Sequence, residues 1–235
     1  MSPRPRPGSG APRARRIAVL AGALALLSVL LAACSSGFDP SSPCTSDGRQ
    51  AGAYPQLEAR IPTAFRATQP TSLDSGRICT ADGLATFKSH GVEELHYAGG
   101  VWNTGTQSGV SLATFENAGD TPLQADWVAE YYQATANVGK NVNSVDVGSY
   151  EIAPGIVGKK VDVLNDESYQ SVVVWDHDGR IQIALIADFI RDIQTKAAHE
   201  AVVREAVNAW LVADGITPPA GISDPASPTV APASG

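Results

Sequence analysis

Between Val145 and Asp188 the chain holds four extended candidates, Val145 to Ile152, Ile156 to Leu164, Tyr169 to Asp176 and Ile181 to Asp188, joined by short links. A parallel crossover needs a dozen or more residues, so these strands have to pair antiparallel. Asn165-Asp166-Glu167-Ser168 joins the second and third strands, and Asp178-Gly179 joins the third and fourth. Asp-Gly suits a hairpin turn in which both central residues take positive φ. Val172-Val173-Val174 is apolar in both phases of a strand, and Ile181 to Ile186 nearly so. Such strands are covered on both faces. The C-terminal half is therefore expected to be an antiparallel meander with further layers packed on it.

Helical periodicity supplies those layers. Thr121-Pro122-Leu123-Gln124 offers a cap, a proline at the first helical position and a glutamine at N3. Leu123, Trp127, Val128, Tyr131 and Thr135 follow at spacings of three and four, which sets an aromatic-rich stripe on one face. A second helix is expected from about Asp192 or Thr195 to Val212, with Ala198, Val202, Val203, Ala206, Val207, Trp210 and Leu211 inward and Asp214-Gly215 as its stop. A shorter one runs from Ala81 to Ser89 behind a Thr80 cap and ends at Gly91. Val92 to Ala98 and Gly109 to Asn117 are the remaining strand candidates. The expected fold class is α+β, an antiparallel sheet with a C-terminal meander packed between helices as an α/β/α sandwich. An early Leu57 to Phe65 segment with Ile61-Pro62, then strands, a helix, a meander through Val174-Trp175-Asp176-His177-Asp178-Gly179-Arg180-Ile181 and a last amphipathic helix resembles the Mog1/PsbP-like domains, including secreted lipoproteins of the LpqN type. That resemblance implies an accessory or binding role and carries no shared catalytic residues.

The N-terminus has a different composition. Arg13, Arg15 and Arg16 precede a fifteen-residue apolar run, Ile17 to Leu31, and small residues follow. These are the parts of an export signal. Fifteen helical residues reach only about 22 Å, short of the roughly 30 Å hydrocarbon core, so the run is not expected to span. Leu31-Ala32-Ala33-Cys34, followed by Ser35-Ser36, resembles the lipobox of bacterial lipoproteins. The resemblance implies cleavage before Cys34, a diacylglyceryl group on its thiol, often with acylation of the new amino group, and a domain held at the extracytoplasmic face of the cell membrane. The expected organisation is a signal peptide over 1–33, a flexible Ser/Gly/Pro tether over 34–53, one domain over 54–213 and a disordered, proline-rich tail over 214–235.

Removing residues 1–33 takes away five arginines and no acid, so the remainder carries 17 − 5 = 12 basic against 24 acidic residues, a formal charge of about −12. Such a surface repels phosphate backbones and anionic headgroups. Nucleic acid is excluded as a partner, and attachment to the membrane has to come from the lipid. With Cys34 assigned to the lipid, two of the three cysteines remain. In an oxidising compartment Cys44 and Cys79 are expected to pair, since neither a Cys-x-x-Cys spacing nor metal-ligand partners accompany them.

No nucleophile elbow, phosphate loop, zinc motif or EF-hand occurs in the sequence. Asp176-His177-Asp178-Gly179 gathers possible cation ligands, but its glycine stands at the fourth position of an EF-hand count, and a hairpin turn is the better reading. Asp162, Asn165, Asp166 and Glu167 are equally at home in a turn. His90, His96 and His199 share no ligating spacing, and His199 is placed on the polar side of the last helix. No metal, no cofactor and no enzymatic activity are expected, although a Ser, His and Asp set could still converge in space. Tyr97-Ala98-Gly99-Gly100-Val101-Trp102-Asn103-Thr104-Gly105 reads as a glycine-flexible loop, with Trp102 tucked over the sheet edge as its ordinary role. Tyr97 and Trp102 are the candidate contacts for a ligand or partner. The expected function is a membrane-anchored binding or accessory module for an unknown protein or apolar ligand. The alternatives are a secreted envelope hydrolase and a structural or stress-related surface protein without a small ligand.

Overall fold

A computed structural model describes residues 38–219. The signal peptide, Cys34 and the tail from residue 220 onward lie outside the described residues. In chain order the elements are β1 (Gly48–Gln50), α1 (Pro55–Glu58), β2 (Ser72–Ile78), α2 (Ala81–Leu84) running into a 3₁₀ turn (Ala85–His90), β3 (Leu95–Asn103), β4 (Gly109–Asn117), α3 (Ala125–Asn137), β5 (Val142–Ala153), β6 (Ile156–Asn165), β7 (Ser168–His177), β8 (Arg180–Phe189), α4 (Ile190–Ile193) and α5 (Lys196–Ala213). The eight strands form one sheet in the order β1-β2-β3-β4-β8-β7-β6-β5, and every pairing is antiparallel. The domain is therefore α+β and dominated by its sheet.

Alternation along the central strands builds two cores. Val173, Trp175, Ala184 and Ile186 join Trp210, Val203 and Leu57 in one cluster, while Val172, Val174, Ile183 and Leu185 join Val128, Tyr132 and Phe87 in the other. The period-two rule assigns neighbours on one strand to opposite faces, which is why β7 and β8 are apolar in both phases. Thr195 caps α5, its hydroxyl accepting from the Ala198 amide at 3.2 Å. Asp178 and Gly179 take φ of 49° and 74°, the two positive values of the expected hairpin turn.

The start of α3 is later than the sequence suggests. Asn117 takes over the Thr121-Pro122 stretch: its side-chain amide donates to the Thr121 carbonyl at 2.8 Å and its oxygen accepts from the Gly119 amide, which holds a turn there. The helix begins at Ala125, beside the Asp176 carboxylate of β7. Burial pushes that carboxyl upward from its ordinary range.

The expected tether is also corrected. Residues 48–50 form an edge strand in register with Arg77, Gly76 and Ser75 of β2, and the stretch before it is bound to the sheet. At the other end, Ile216 packs on the first core and Asp214 accepts from Gln182 Nε2 at 2.8 Å, so the chain stays attached beyond residue 213. Cys44 and Cys79 are joined by a disulfide across a sequence separation of 35. Loop closure on that scale is worth roughly 3–4 kcal/mol in the chain-entropy account. Cys79→Ala is therefore expected to lower the melting temperature by about 10 °C in differential scanning calorimetry. A change within a degree would show that the approach segment contributes no constraint.

Candidate functional site

Tyr97 and Trp102 are where contact with a ligand was expected, and both lie inside. The segment containing them is strand β3 rather than a loop, and the two residues are 6% and 2% exposed. Trp102 donates its indole N–H to the Thr68 carbonyl at 2.9 Å and meets Phe65 edge-on, with ring centroids 6.3 Å apart. The neighbouring glycine serves this packing. A Cβ on Gly100 would come within 2.9 Å of the Trp102 ring and 3.0 Å of Ile61, so only glycine lets the indole lie along the strand. Tyr97 belongs to the opposite core, edge-on to Phe115.

The structure does bring a serine, a histidine and an aspartate together. Ser171 is central in β7, opposite Asp162 of β6 on one side and Ile186 of β8 on the other. Asp188 stands near the end of β8, and His199 in the first turn of α5. His199 Nδ1 is 2.7 Å from Asp188 Oδ2, and its Nε2 is 2.8 Å from Ser171 Oγ. The chain of contacts continues outward. Ser171 Oγ donates to Asp162 Oδ1, Lys160 Nζ lies 3.0 Å from the same oxygen, and Lys160 reaches both Glu200 oxygens at 2.6 Å. The Tyr169 ring stacks on the imidazole.

Three features separate this set from a working triad. Ser171, Asp188 and His199 are 0%, 2% and 2% exposed, so no substrate carbonyl reaches the hydroxyl. A serine has one hydroxyl proton, and here it goes to Asp162. The hydroxyl proton is thus turned toward Asp162 and away from His199 Nε2, unlike a nucleophile whose proton a histidine base removes. The Ser171 amide is enclosed between two paired strands, where the sheet ladder uses peptide N–H groups, so none is free to bind an oxyanion. Through contacts at both ring nitrogens, Asp188 at Nδ1 and Ser171 at Nε2, the imidazole links β7, β8 and α5. At its outer end the network reaches solvent, with the Asp162 and Glu200 side chains 25% and 35% exposed. There Tyr150 of β5 lies beneath Lys160 and Arg204, 5.6 and 4.4 Å from its ring centre. Burial pushes the Tyr150 hydroxyl up, and the Arg204 guanidinium partly offsets this.

A second polar group occupies the same sheet face nearer β1. His96 stacks on Tyr54 with centroids 4.3 Å apart, and its Nε2 is 2.9 Å from Glu94. Arg77 lies beside Glu94, and Arg180 pairs with Glu116 at 3.2 Å. Burial raises the Tyr54 hydroxyl above its ordinary range. These groups join the approach segment to strands β2 to β4.

Among the described residues no group of three or more His, Cys, Asp or Glu side chains is arranged to hold a metal ion. Asp176 to Gly179 form a hairpin end, and the Asn165 carboxamide is spent on the Glu167 and Ser168 amides at 3.0 and 2.7 Å. A cavity of about 10 Å³ under α3, lined by Tyr132, Ala136, Val161, Val172 and Leu185 among others, has room for about one water. No described helix is long and apolar enough to cross a membrane. The chain matches no protein-family model and no curated protein sequence.

Proposed function

We propose that this protein is a lipid-anchored extracytoplasmic accessory domain that works by contact with a partner at the membrane and not by catalysis. The observation that carries the non-catalytic half is the Ser171 hydroxyl, enclosed in the sheet with its proton committed to Asp162. The location rests on Leu31-Ala32-Ala33-Cys34 after an apolar run too short to span, and the Cys44–Cys79 disulfide is compatible with an exported chain. Helices α1 and α5 belong to one core and α2 and α3 to the other, which favours an α/β/α sandwich of the Mog1/PsbP-like kind.

Two measurements on one preparation test the proposal. Mass spectrometry of the N-terminal peptide is expected to find Cys34 first and carrying lipid, and Cys34→Ala is expected to accumulate as an uncut precursor in the membrane fraction. A fluorophosphonate probe is expected to leave Ser171 unlabelled in the folded protein. An unmodified Cys34 peptide would refute the anchor, and stoichiometric labelling of Ser171 would replace the accessory role with a hydrolase.

A further inference from the structure

The segment expected to be a loose tether is bound to the sheet almost from its beginning. Phe38 packs against the first core, and its ring lies where a Cβ on Gly48 would be. The Arg77 guanidinium stacks over that ring, 5.4 Å from its centre. Arg77 is 5% exposed and donates to the Ser42 carbonyl at 2.5 Å, the Ser42 hydroxyl at 3.2 Å and the Pro43 carbonyl at 3.4 Å. Two residues later comes the disulfide from Cys44 to Cys79. The Asp47 carboxylate then accepts from the Cys79 and Thr80 amides at 2.7 and 2.8 Å and from the Thr80 hydroxyl at 2.6 Å. A buried cation, a covalent bond and a carboxylate with three donors therefore hold residues 38–47 against the β1 end of the sheet.

This attachment limits how far the domain can stand from its anchor. From Cys34 to Phe38 there are four Cα steps, which span at most about 14 Å when fully extended. A free tether through residue 53 would span on the order of 65 Å. Each headgroup layer is about 5–7 Å thick, so a lipid on Cys34 leaves Phe38 within about 10 Å of the headgroup surface. That is less than the radius of gyration expected for a domain of this size, roughly 16 Å, so the folded body is held within less than its own radius of the bilayer. The orientation is also restricted. β1 is one edge of the sheet and β5 the other, and seven strand spacings separate them by roughly 33 Å.

We propose that the β1 edge, with the Asp39 to Ser46 stretch clamped over Arg77, is a bilayer-facing surface that presents the β5–β6 side of the domain away from the membrane. This rests on anchoring at Cys34. The polar surface left outward then includes Tyr150, Asp162 and Glu200, where the buried network meets solvent. No affinity for headgroups is needed, since the covalent tie keeps the edge in place despite the acidic charge of the chain.

The test uses the lipidated full chain in phosphatidylcholine vesicles with a short-range quencher on the headgroups. A fluorophore is attached through a clickable amino acid at Gln50, exposed on the β1 edge, or at Ser149, exposed on β5. Lipid on Cys34 is verified by mass in each sample. Quenching is expected to be several-fold stronger at Gln50 than at Ser149, and a long Gly/Ser insert between Ser36 and Gly37 is expected to remove the difference. Equal quenching at the two positions in lipidated protein without the insert would overturn the orientation and leave the anchor standing. Absence of the lipid mass would overturn both.

Discussion

Trp102→Ala is expected to cost about 3–5 kcal/mol of folding free energy, the range for deleting a large aromatic from a packed core. For a domain of this size that lowers the melting temperature by on the order of 10 °C. The loss has three sources. The indole is 2% exposed, its N–H is the partner of the Thr68 carbonyl, and Gly100 and Ile61 are shaped around its ring. With Gly100 unable to fill the space, the cavity would collapse poorly. A tryptophan lying over a mobile loop would cost under about 0.5 kcal/mol on the same change. Urea unfolding of the variant at fixed pH separates the two, and a shift below that limit would return Trp102 to the surface.

Asp188→Ala is expected to destabilise by a similar amount, about 3–5 kcal/mol, because it leaves His199 Nδ1 buried without an acceptor. Ser171→Ala removes a hydroxyl that His199 and Asp162 share, and about 1–3 kcal/mol is expected for the polar atoms it strands. The two losses should not add, since both variants break one connected chain of contacts, and the double variant is expected to fall short of their sum by at least about 0.5 kcal/mol. Denaturant midpoints at unchanged m-value give all three quantities. Strict additivity would mean that the histidine does not couple the two sides.

The C-terminal meander is legible in the sequence because short links and two-phase apolar strands leave it no alternative. The Thr195 cap and the Asp178-Gly179 turn are legible for the same kind of local reason. β1 and β2 are not. Ser72-Leu73-Asp74-Ser75-Gly76-Arg77-Ile78 carries little apolar alternation, because its buried positions are satisfied by hydrogen bonds: Ser75 Oγ accepts from the Tyr54 amide, and Arg77 grips the approach segment. Polar burial of that kind depends on partners 21 and 35 residues away, beyond any local window. The Trp102 segment misleads for a related reason, since paired glycines suggest flexibility until the ring they accommodate is known. His199 did leave a signal. It stands four residues before Val203, seven before Ala206 and eleven before Trp210, on the buried stripe of α5, and a histidine on such a stripe needs polar partners inside. Which serine and aspartate would meet it depends on strand order, which the sequence does not print.

The strand order has a kinetic consequence. β1 to β4 and β5 to β8 are each a run of sequence neighbours, and a single seam, Gly109 to Phe115 against Ala187 to Ile181, joins the two runs. Every other ladder closes a local connection, whereas the seam encloses α3 and the whole of β5 to β7. Loop-closure entropy grows only with the logarithm of length, so the enclosed segment adds little to the equilibrium cost of the seam. Its long reach weighs on the folding rate instead. Each half can zip its own hairpins early, but the polar chain from Glu200 to Asp188 and both apolar cores are complete only when the two halves meet.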